Sequence, residues 1–168
     1  HVYDPGGNLI ATNQYDVNGN LIPPVGGPPV LTHSINAQNY SSVSGSVVLY
    51  SGGVLGMYGN RSINYALNIT EGSDYSLKFS TAQVTSKTVP PGYLFHINIK
   101  IDGVTVATVD LNSSKTFAVS DFIDLGALTS GAHTLTLQWT NDTNVSPYDS
   151  NLGIKNIEVY KAGSGTPP

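Results

Sequence analysis

The sequence predicts an all-β protein, a β-sandwich of two antiparallel sheets, and two observations carry that prediction. Apolar and polar residues alternate through one segment after another, and no window repeats its apolar residues at the 3.6-residue period of a helix. Turn-forming pairs such as Asp102-Gly103 separate these segments, as they do in β-hairpins. We therefore expect roughly eight to ten short strands, with one face of each sheet buried.

Four segments show the alternation most clearly: "INYALNI", "DYSLKFS", "YLFHINIKI" and "HTLTLQW". The residues that they place on buried faces are Ile63, Tyr65, Leu67, Ile69, Tyr75, Leu77, Phe79, Phe95, Ile97, Ile99, Ile101, Leu135, Leu137 and Trp139. After Asp102-Gly103, "VTVATVDL" is expected to return as the second arm of a hairpin.

The ends of the chain differ from its middle. "YDPGGNLI" at residues 3–10 is echoed by "YDVNGNLI" at residues 15–22, and the second copy runs into "PPVGGPPV". Each copy could form a small hairpin, and the echo resembles the Tyr-Asp repeats of bacterial surface proteins. We predict that residues 1–30 are a linker or tail, that residues 31–161 form the sandwich and that residues 162–168 are a second linker. A domain between linkers is typical of a module in a larger protein.

Composition excludes several classes of partner. Charged residues make up 11% of the 168 residues and the net charge is −4, which argues against nucleic-acid binding through clustered Lys and Arg. No apolar run approaches the roughly 20 residues that span a bilayer, so no membrane partner is expected. The absence of cysteine excludes disulfides. N-x-Ser/Thr triplets hint at a secreted or extracellular protein; they begin at Asn39, Asn60, Asn68, Asn112, Asn141 and Asn144.

No catalytic motif is evident. The sequence contains neither a nucleophile elbow nor a phosphate-cradling glycine loop. Its acidic residues lie mostly in Asp-Gly or Asp-Ser turns, and no pair is marked out as the two carboxylates of a glycoside hydrolase. We therefore expect no enzyme activity and name no catalytic residue.

The segment "WTNDTNVSPYDSN", residues 139–151, concentrates oxygen donors between two predicted strands. Calcium takes six to eight oxygen ligands from carboxylates and carbonyls on flexible loops. Asp142 and Asp149 would neutralise one such ion and leave positions that sugar hydroxyls could fill. The alternative is a solvated turn, because Asp and Asn also stabilise turns.

The order of several segments resembles a known family. "SINAQNYSSVSG", "YSGGVLGMYGNRSINYALNI", "GSDYSLKFS", "IDGVTVATV", "LTSGAHTLTLQW" and "NLGIKNIEVY" look like the galactose-binding-like jelly-roll sandwich of carbohydrate-binding modules in families 6, 35, 36 and 60. The resemblance covers residues 32–160. It implies a non-catalytic module that binds a polysaccharide and tethers a covalently linked glycoside hydrolase to its substrate.

Two details of the resemblance concern calcium. Many relatives hold a structural calcium with carboxylates at positions that match Asn36, Gln38 and Lys155 here, so we expect that site to be lost. "WTND" followed by "DSNL" resembles the loop of the calcium-dependent xylan-binding families 36 and 60. That likeness implies Asp142 and Asp149 as carboxylate ligands, amide or backbone oxygens from Asn141 and Asn151, and the carbonyl of Trp139, whose ring is expected in the core.

Sugars bind where aromatic platforms and hydrogen-bonding side chains meet. The candidates, in loop-like Gly, Ser and Asn contexts, are Tyr40, Tyr50, Tyr58, Asn60 and Tyr148. The combined expectation is a secreted, monomeric module that binds xylan or a related glycan through calcium. The alternative is a structural or adhesive sandwich of a surface protein, in which any calcium is purely structural.

Overall fold

The structure, a computed structural model, describes residues 27–163 and, ahead of them, the backbone of four short strands between residues 2 and 22. In chain order the strands are β1 (Val2–Tyr3), β2 (Leu9–Ala11), β3 (Gln14–Tyr15), β4 (Leu21–Ile22), β5 (Val30–Ile35), β6 (Ser42–Val43), β7 (Val47–Tyr50), β8 (Val54–Met57), β9 (Arg61–Ile69), β10 (Ser73–Gln83), β11 (Leu94–Ile101), β12 (Val104–Asn112), β13 (Ala118–Val119), β14 (Ile123–Leu128), β15 (Gly131–Trp139), β16 (Asn144–Val145), β17 (Tyr148–Asp149) and β18 (Leu152–Lys161). Among the described residues no helix is long and apolar enough to cross a lipid bilayer.

Each copy of the Tyr-Asp echo contains one antiparallel pair. Strand β1 pairs with β2, and β3 pairs with β4. The linker roles predicted for residues 1–30 and 162–168 fall largely outside the described residues. The sandwich itself begins with β5 and ends with β18.

Two antiparallel sheets form the sandwich and confirm the predicted fold class. In the seven-stranded sheet, β10 pairs with β18; β13 and β14 share the outer edge of β10, β5 and β8 share that of β18, and β7 flanks β8. The five-stranded sheet has the order β12-β11-β15-β9-β6. Strands β6, β7, β8 and β13 raise the count above the prediction because strands of two to four residues are too short to show alternation.

The predicted core is the observed core. Every residue that alternation places on a buried face is buried between the two sheets. Asp102 and Gly103 connect β11 to β12 as expected, with positive φ angles of 50° and 83° in a two-residue turn that pairs Ile101 with Val104. This is the geometry that the primed hairpin turns require.

A second contact holds this turn against β15. Asp102 Oδ1 accepts a hydrogen bond from the backbone N–H of Thr134 at 2.8 Å, and Asp102 Oδ2 lies 2.7 Å from His133 Nδ1. The other ring nitrogen of His133 lies 2.9 Å from the Thr129 carbonyl. The bond to Asp102, followed by the bond to Thr129, raises the pKa of His133. The bond to His133, followed by the bond from the Thr134 N–H, lowers the pKa of Asp102.

The His133–Asp102 pair should make stability depend on pH. Because the folded pKa of His133 is raised, its contribution is complete below the ordinary histidine pKa of about 6.5 and is lost as pH rises through the folded value. Asp102 contributes above its ordinary pKa and loses that contribution as pH falls through its lowered value. We expect His133→Gln to lower the free energy of unfolding by about 0.5–1 kcal/mol at pH 5.5 and by less at pH 9, measured by urea denaturation.

An Asp102→Asn background is the control, because the cost of His133→Gln should there depend less on pH, with only the bond to the Thr129 carbonyl left to favour the charged imidazole. An equal cost at both pH values in the wild-type background would contradict the prediction.

Candidate functional site

The segment from Trp139 to Asn151 links β15 in one sheet to β18 in the other. It contains the small hairpin β16–β17, which pairs Asn144 with Asp149 and includes a cis Ser146–Pro147 peptide. Asp149 donates its backbone N–H to the Thr88 carbonyl at 3.0 Å, so the segment also packs against the residues that follow β10. We call residues 139–151 the Asp142 loop.

Trp139 anchors the start of the Asp142 loop in the core, as the sequence predicts. Its side chain is fully buried and meets Phe95 edge to face, with ring centroids 5.6 Å apart. Its indole Nε1 donates a hydrogen bond to Asn141 Oδ1 at 2.8 Å. The one polar atom of the buried ring is therefore satisfied by the loop itself.

Asn141 joins that loop to β11. Its Oδ1 also accepts the backbone N–H of His96 at 2.9 Å, and its Nδ2 donates to the Leu94 carbonyl at 2.8 Å. The Asn141 carbonyl accepts the Tyr93 hydroxyl at 2.6 Å. Both oxygens predicted as calcium ligands are thus turned towards protein donors in this structure.

Asn151 is likewise held by the protein and is almost fully buried. Its N–H donates to Gln83 Oε1 at 2.7 Å, and Gln83 Nε2 donates to the Asp149 carbonyl at 2.8 Å. The Asn151 carbonyl accepts the Val84 N–H at 3.0 Å. Gln83 therefore clamps the end of the loop; sequence reasoning missed it, since a glutamine at the end of a strand carries no signal of this role.

The carboxylates of Asp142 and Asp149 form fewer hydrogen bonds with the protein than Asn141 and Asn151 do. Asp142 donates its backbone N–H to Asn60 Oδ1 at 2.7 Å, and its Oδ1 accepts the hydroxyl of buried Ser150 at 3.0 Å. Across residues 27–163 no hydrogen-bond donor contacts the Asp149 carboxylate. Both side chains are half-buried, and Ser150, which sequence reasoning also missed, fixes Asp142 against the hairpin.

The segment around β7 and β8 supplies a pair of tyrosines. Tyr50 and Tyr58 contact each other through their hydroxyls, and both rings lie over Gly56, where a Cβ would stand 2.7 Å from Tyr50 Cε2 and 3.5 Å from Tyr58 Cε2. A glycine is therefore required at this close approach. Burial, followed by the bond to Tyr50, raises the pKa of Tyr58 to about 12, with Asp149 adding a smaller effect.

The structure brings only some of the predicted site residues together. Asn60 bonds the Asp142 loop directly, and Asp149 is near enough to Tyr58 to oppose its ionisation. Tyr40 instead packs against the core. Tyr50 and Tyr148 belong to strands β7 and β17, not to the loops expected from their Gly- and Ser-rich surroundings.

The donor set fits calcium in part. Within the described residues no three His, Cys, Asp or Glu side chains gather into a metal cluster. Two carboxylates with loop carbonyls are nevertheless the hard oxygen donors that calcium prefers, and water or sugar hydroxyls can complete its six to eight ligands. Asp142 and Asp149 therefore suit a solvent-exposed calcium site better than a structural site in which the protein supplies every ligand.

Asn36, Gln38 and Lys155, where the family resemblance implies that a calcium site is lost, contact groups of the protein itself. Gln38 Nε2 donates to the carbonyls of Tyr50 at 2.6 Å and Val54 at 2.9 Å, and Asn36 Oδ1 accepts the Gln38 N–H at 2.9 Å. Lys155 lies over the Phe117 ring, with Nζ 4.3 Å from its centroid. Two carbonyls that could have ligated a cation are thus satisfied by a neutral N–H donor.

Neither a family model nor a curated protein matches the sequence. Solved structures match the fold. The CBM36-1 domain of a multidomain xylanase from the hindgut metagenome of Trinervitermes trinervoides gives a TM-score of 0.59 at 16% identity, over 80% of this chain and 98% of that one. A family 36 carbohydrate-binding module in complex with calcium and xylotriose gives 0.57 at 17% identity, over 77% and 100%.

A module of family 6 shares the architecture as well. The C-terminal CBM6 of LamC, a laminarinase from Zobellia galactanivorans, gives a TM-score of 0.56 at 11% identity, over 77% of this chain and 98% of that one. At these identities the likeness is one of fold. The chain has the β-sandwich fold of these carbohydrate-binding modules.

Asn141 should be needed for stability whether or not calcium is present. Asn141→Ala removes the acceptor of the buried Trp139 indole N–H and of the His96 N–H. We expect the free energy of unfolding to fall by about 2–4 kcal/mol in excess chelator, measured by chemical denaturation with tryptophan fluorescence. Asn144→Ala, at an exposed position of the same loop, is the matched control, and equal stability of the two variants would contradict the prediction.

Gln38→Glu should install a requirement for calcium. The substitution replaces two N–H donors by a carboxylate facing the carbonyls of Tyr50 and Val54. In an Asp142→Asn background and excess chelator we expect a loss of about 1–3 kcal/mol, partly reversed by millimolar calcium. The readout is thermal unfolding, with Asn39→Asp as the control. A melting temperature that ignores calcium in the Gln38→Glu protein would refute this account.

Proposed function

We propose that this chain is a non-catalytic carbohydrate-binding module that binds a polysaccharide, xylan or a related glycan, at the end of the sandwich formed by the Asp142 loop and the β8–β9 connection. In the full-length protein it tethers a linked enzyme to its substrate. The proposal includes secretion and a monomeric state, and it names no catalytic residue.

The observation that carries the proposal is the way Asp142 is held. Its backbone is bonded to Asn60 of one connection, and its carboxylate is bonded to Ser150 of the other. An aspartate whose backbone and carboxylate are both hydrogen-bonded loses little conformational entropy when a ligand binds, so its contacts contribute more fully to affinity. A solvated turn would not need a buried serine to orient its side chain.

The tyrosine pair supplies the apolar part of the site. Tyr58 is 39% exposed and Tyr50 is half-buried, and their hydroxyl contact fixes the two rings relative to each other. Sugars offer C–H faces to aromatic rings and hydroxyl edges to polar groups. The Tyr58 hydroxyl is protonated at neutral pH like that of any tyrosine, and its raised pKa of about 12 extends the protonated range into alkaline solution.

Calcium is proposed at Asp142 and Asp149, where it would neutralise both carboxylates and offer open coordination positions to vicinal hydroxyls of a sugar. The Trp139 carbonyl and oxygens of Asn141 and Asn151 remain proposed ligands; those of Asn141 would first have to exchange their bonds to protein donors. The protein's own part is to hold the loop through Trp139 and Gln83, so that the carboxylates stay oriented. Tyr40 and Tyr148 are proposed as further sugar contacts, outside the pair that Tyr50 and Tyr58 form through their hydroxyls.

The experiment is calorimetry with soluble arabinoxylan, galactan and mannan, in calcium and in excess chelator. We expect binding to at least one polymer in calcium, a loss of at least about tenfold in affinity in chelator, and a similar loss for Asp142→Asn. Titration of calcium into the protein without sugar gives an independent reading of the metal site. Asp121→Asn, which removes an exposed carboxylate outside the loop, should bind like the wild type.

Three results would contradict parts of the proposal. Equal affinity for Asp142→Asn would remove the calcium site from recognition. Binding that ignores chelator would leave recognition to the tyrosines and Asn60. Calcium binding without affinity for any polymer would favour a structural or adhesive sandwich.

A further inference from the structure

A polar pocket opens beside the Asp142 loop, where the start of β9 pairs with the end of β15. Its volume is about 530 Å³, within the range of small-molecule sites. No acidic side chain lines it; its polar lining comes from Ser44, Asn60, Arg61, Ser62, Gln138 and Thr140. Asn60 also accepts the backbone N–H of Asp142, so this pocket, which we call the Arg61 pocket, adjoins the proposed glycan site.

Arg61 is the sole arginine of the sequence, and two glycines confine its side chain. A Cβ on Gly45 would stand 2.6 Å from Arg61 Nε, and a Cβ on Gly59 would stand 3.6 Å from both terminal nitrogens. Both glycines have positive φ angles, of 80° and 113°. The backbone on both sides therefore fixes the guanidinium, which suits recognition of a planar group better than a mobile surface cation does.

The guanidinium has few partners for its charge. Arg61 Nη1 donates to the Asn60 carbonyl at 3.0 Å, and Nε is buried with no hydrogen-bond acceptor. Within residues 27–163, the ion pairs involve other cations, at His96, His133 and Lys161. A buried donor without an acceptor costs free energy. Among the described residues no carboxylate forms an ion pair with Arg61.

Two side-chain amides add further donors. Asn60 Oδ1 accepts from Asp142, and Gln138 Oε1 accepts from Asn98 Nδ2 at 3.5 Å. Among the described residues, no hydrogen-bond acceptor contacts the NH₂ group of Asn60 or of Gln138. The pocket therefore presents one cation and two amide donors without an anion, which is the complement of an oxyanion.

We propose that the Arg61 pocket binds an oxyanion carried by the glycan, a uronate carboxylate or a sulfate ester, and so directs the module to acidic polysaccharides. The inference rests on the proposed function, since it places the anion on the glycan bound beside Asp142. Tyr58 and Arg61 are three residues apart, so at most about 10 Å of backbone separates Tyr58 of the tyrosine pair from the Arg61 pocket. Because the net charge is −4, the selectivity must be local to Arg61.

The polymer test compares matched ligands. Glucuronoxylan, the same polymer after its carboxylates are reduced to alcohols, and sulfated arabinoxylan are titrated into wild type and Arg61→Gln. We expect Arg61→Gln to lose at least about tenfold in affinity for the acidic polymer and none for the reduced one. Lys100→Gln is the control, since it removes a charge from the same five-stranded sheet outside the pocket. It should change the affinity for neither polymer by more than about twofold.

The two acidic polymers identify the source of the oxyanion. Loss confined to glucuronoxylan assigns a carboxylate, and loss confined to sulfated arabinoxylan assigns a sulfate. Equal losses for the reduced and the acidic polymer would overturn the proposal, as would unchanged affinity of Arg61→Gln for both acidic polymers.

A second measurement does not depend on the polymer or on a variant that folds. A sole arginine gives a single Nε–H resonance in a ¹⁵N-correlated NMR spectrum of the intact wild-type protein. We expect methyl glucuronoside or a sulfated methyl xyloside to shift it in a saturable way, and neutral methyl xyloside to leave it in place. A shift of this resonance in a protein that binds no polysaccharide would support the anion site and contradict the proposed function. A resonance that neither anion shifts would contradict the anion site, even if the protein binds neutral xylan.

Discussion

The hydrogen bond between the buried indole of Trp139 and the side chain of Asn141 is the constraint on which the Asp142 loop, the proposed binding site, depends. The tryptophan belongs to the core, and the asparagine belongs to the loop, yet each satisfies the other. The same amide also bonds the backbone of β11 at His96 and Leu94. Because a buried indole N–H needs a partner, the packing of the sandwich fixes where the Asp142 loop begins.

From that anchor the site is assembled by polar side chains that cross between segments. Gln83 bonds the Asp149 carbonyl and the Asn151 N–H, and Asn60 bonds the Asp142 N–H. Glycine has a complementary role, since Gly56 lets two tyrosine rings approach the sheet and Gly45 lets a guanidinium lie against backbone. The groups that we propose to face the ligand are therefore held in two ways. Side-chain amides form hydrogen bonds with the loop backbone, and glycines let the tyrosine and arginine side chains pack closely against the sheet.

Period-two alternation predicted the buried faces of the long strands, because burial follows directly from the pleat. Together with turn pairs such as Asp102-Gly103, it also predicted the fold class and the hairpin between β11 and β12. It could not reveal strands of two to four residues, so Tyr50 was expected in a loop when it ends β7. Spacing also predicts which residues share the Asp142 loop, but not which oxygens face solvent. That depends on partners distant in sequence, such as Tyr93 for Asn141 and Gln83 for Asn151, which no local pattern marks.

Gln38 has a consequence beyond its two hydrogen bonds. Its side-chain amide donates hydrogen bonds to the carbonyls of Tyr50 and Val54. The amide is part of the chain, whereas a cation in the same place would have to bind from solution. These two bonds form without a metal ion. If calcium binds at the Asp142 loop as proposed, a chelator would therefore release the bound glycan and leave the sandwich folded.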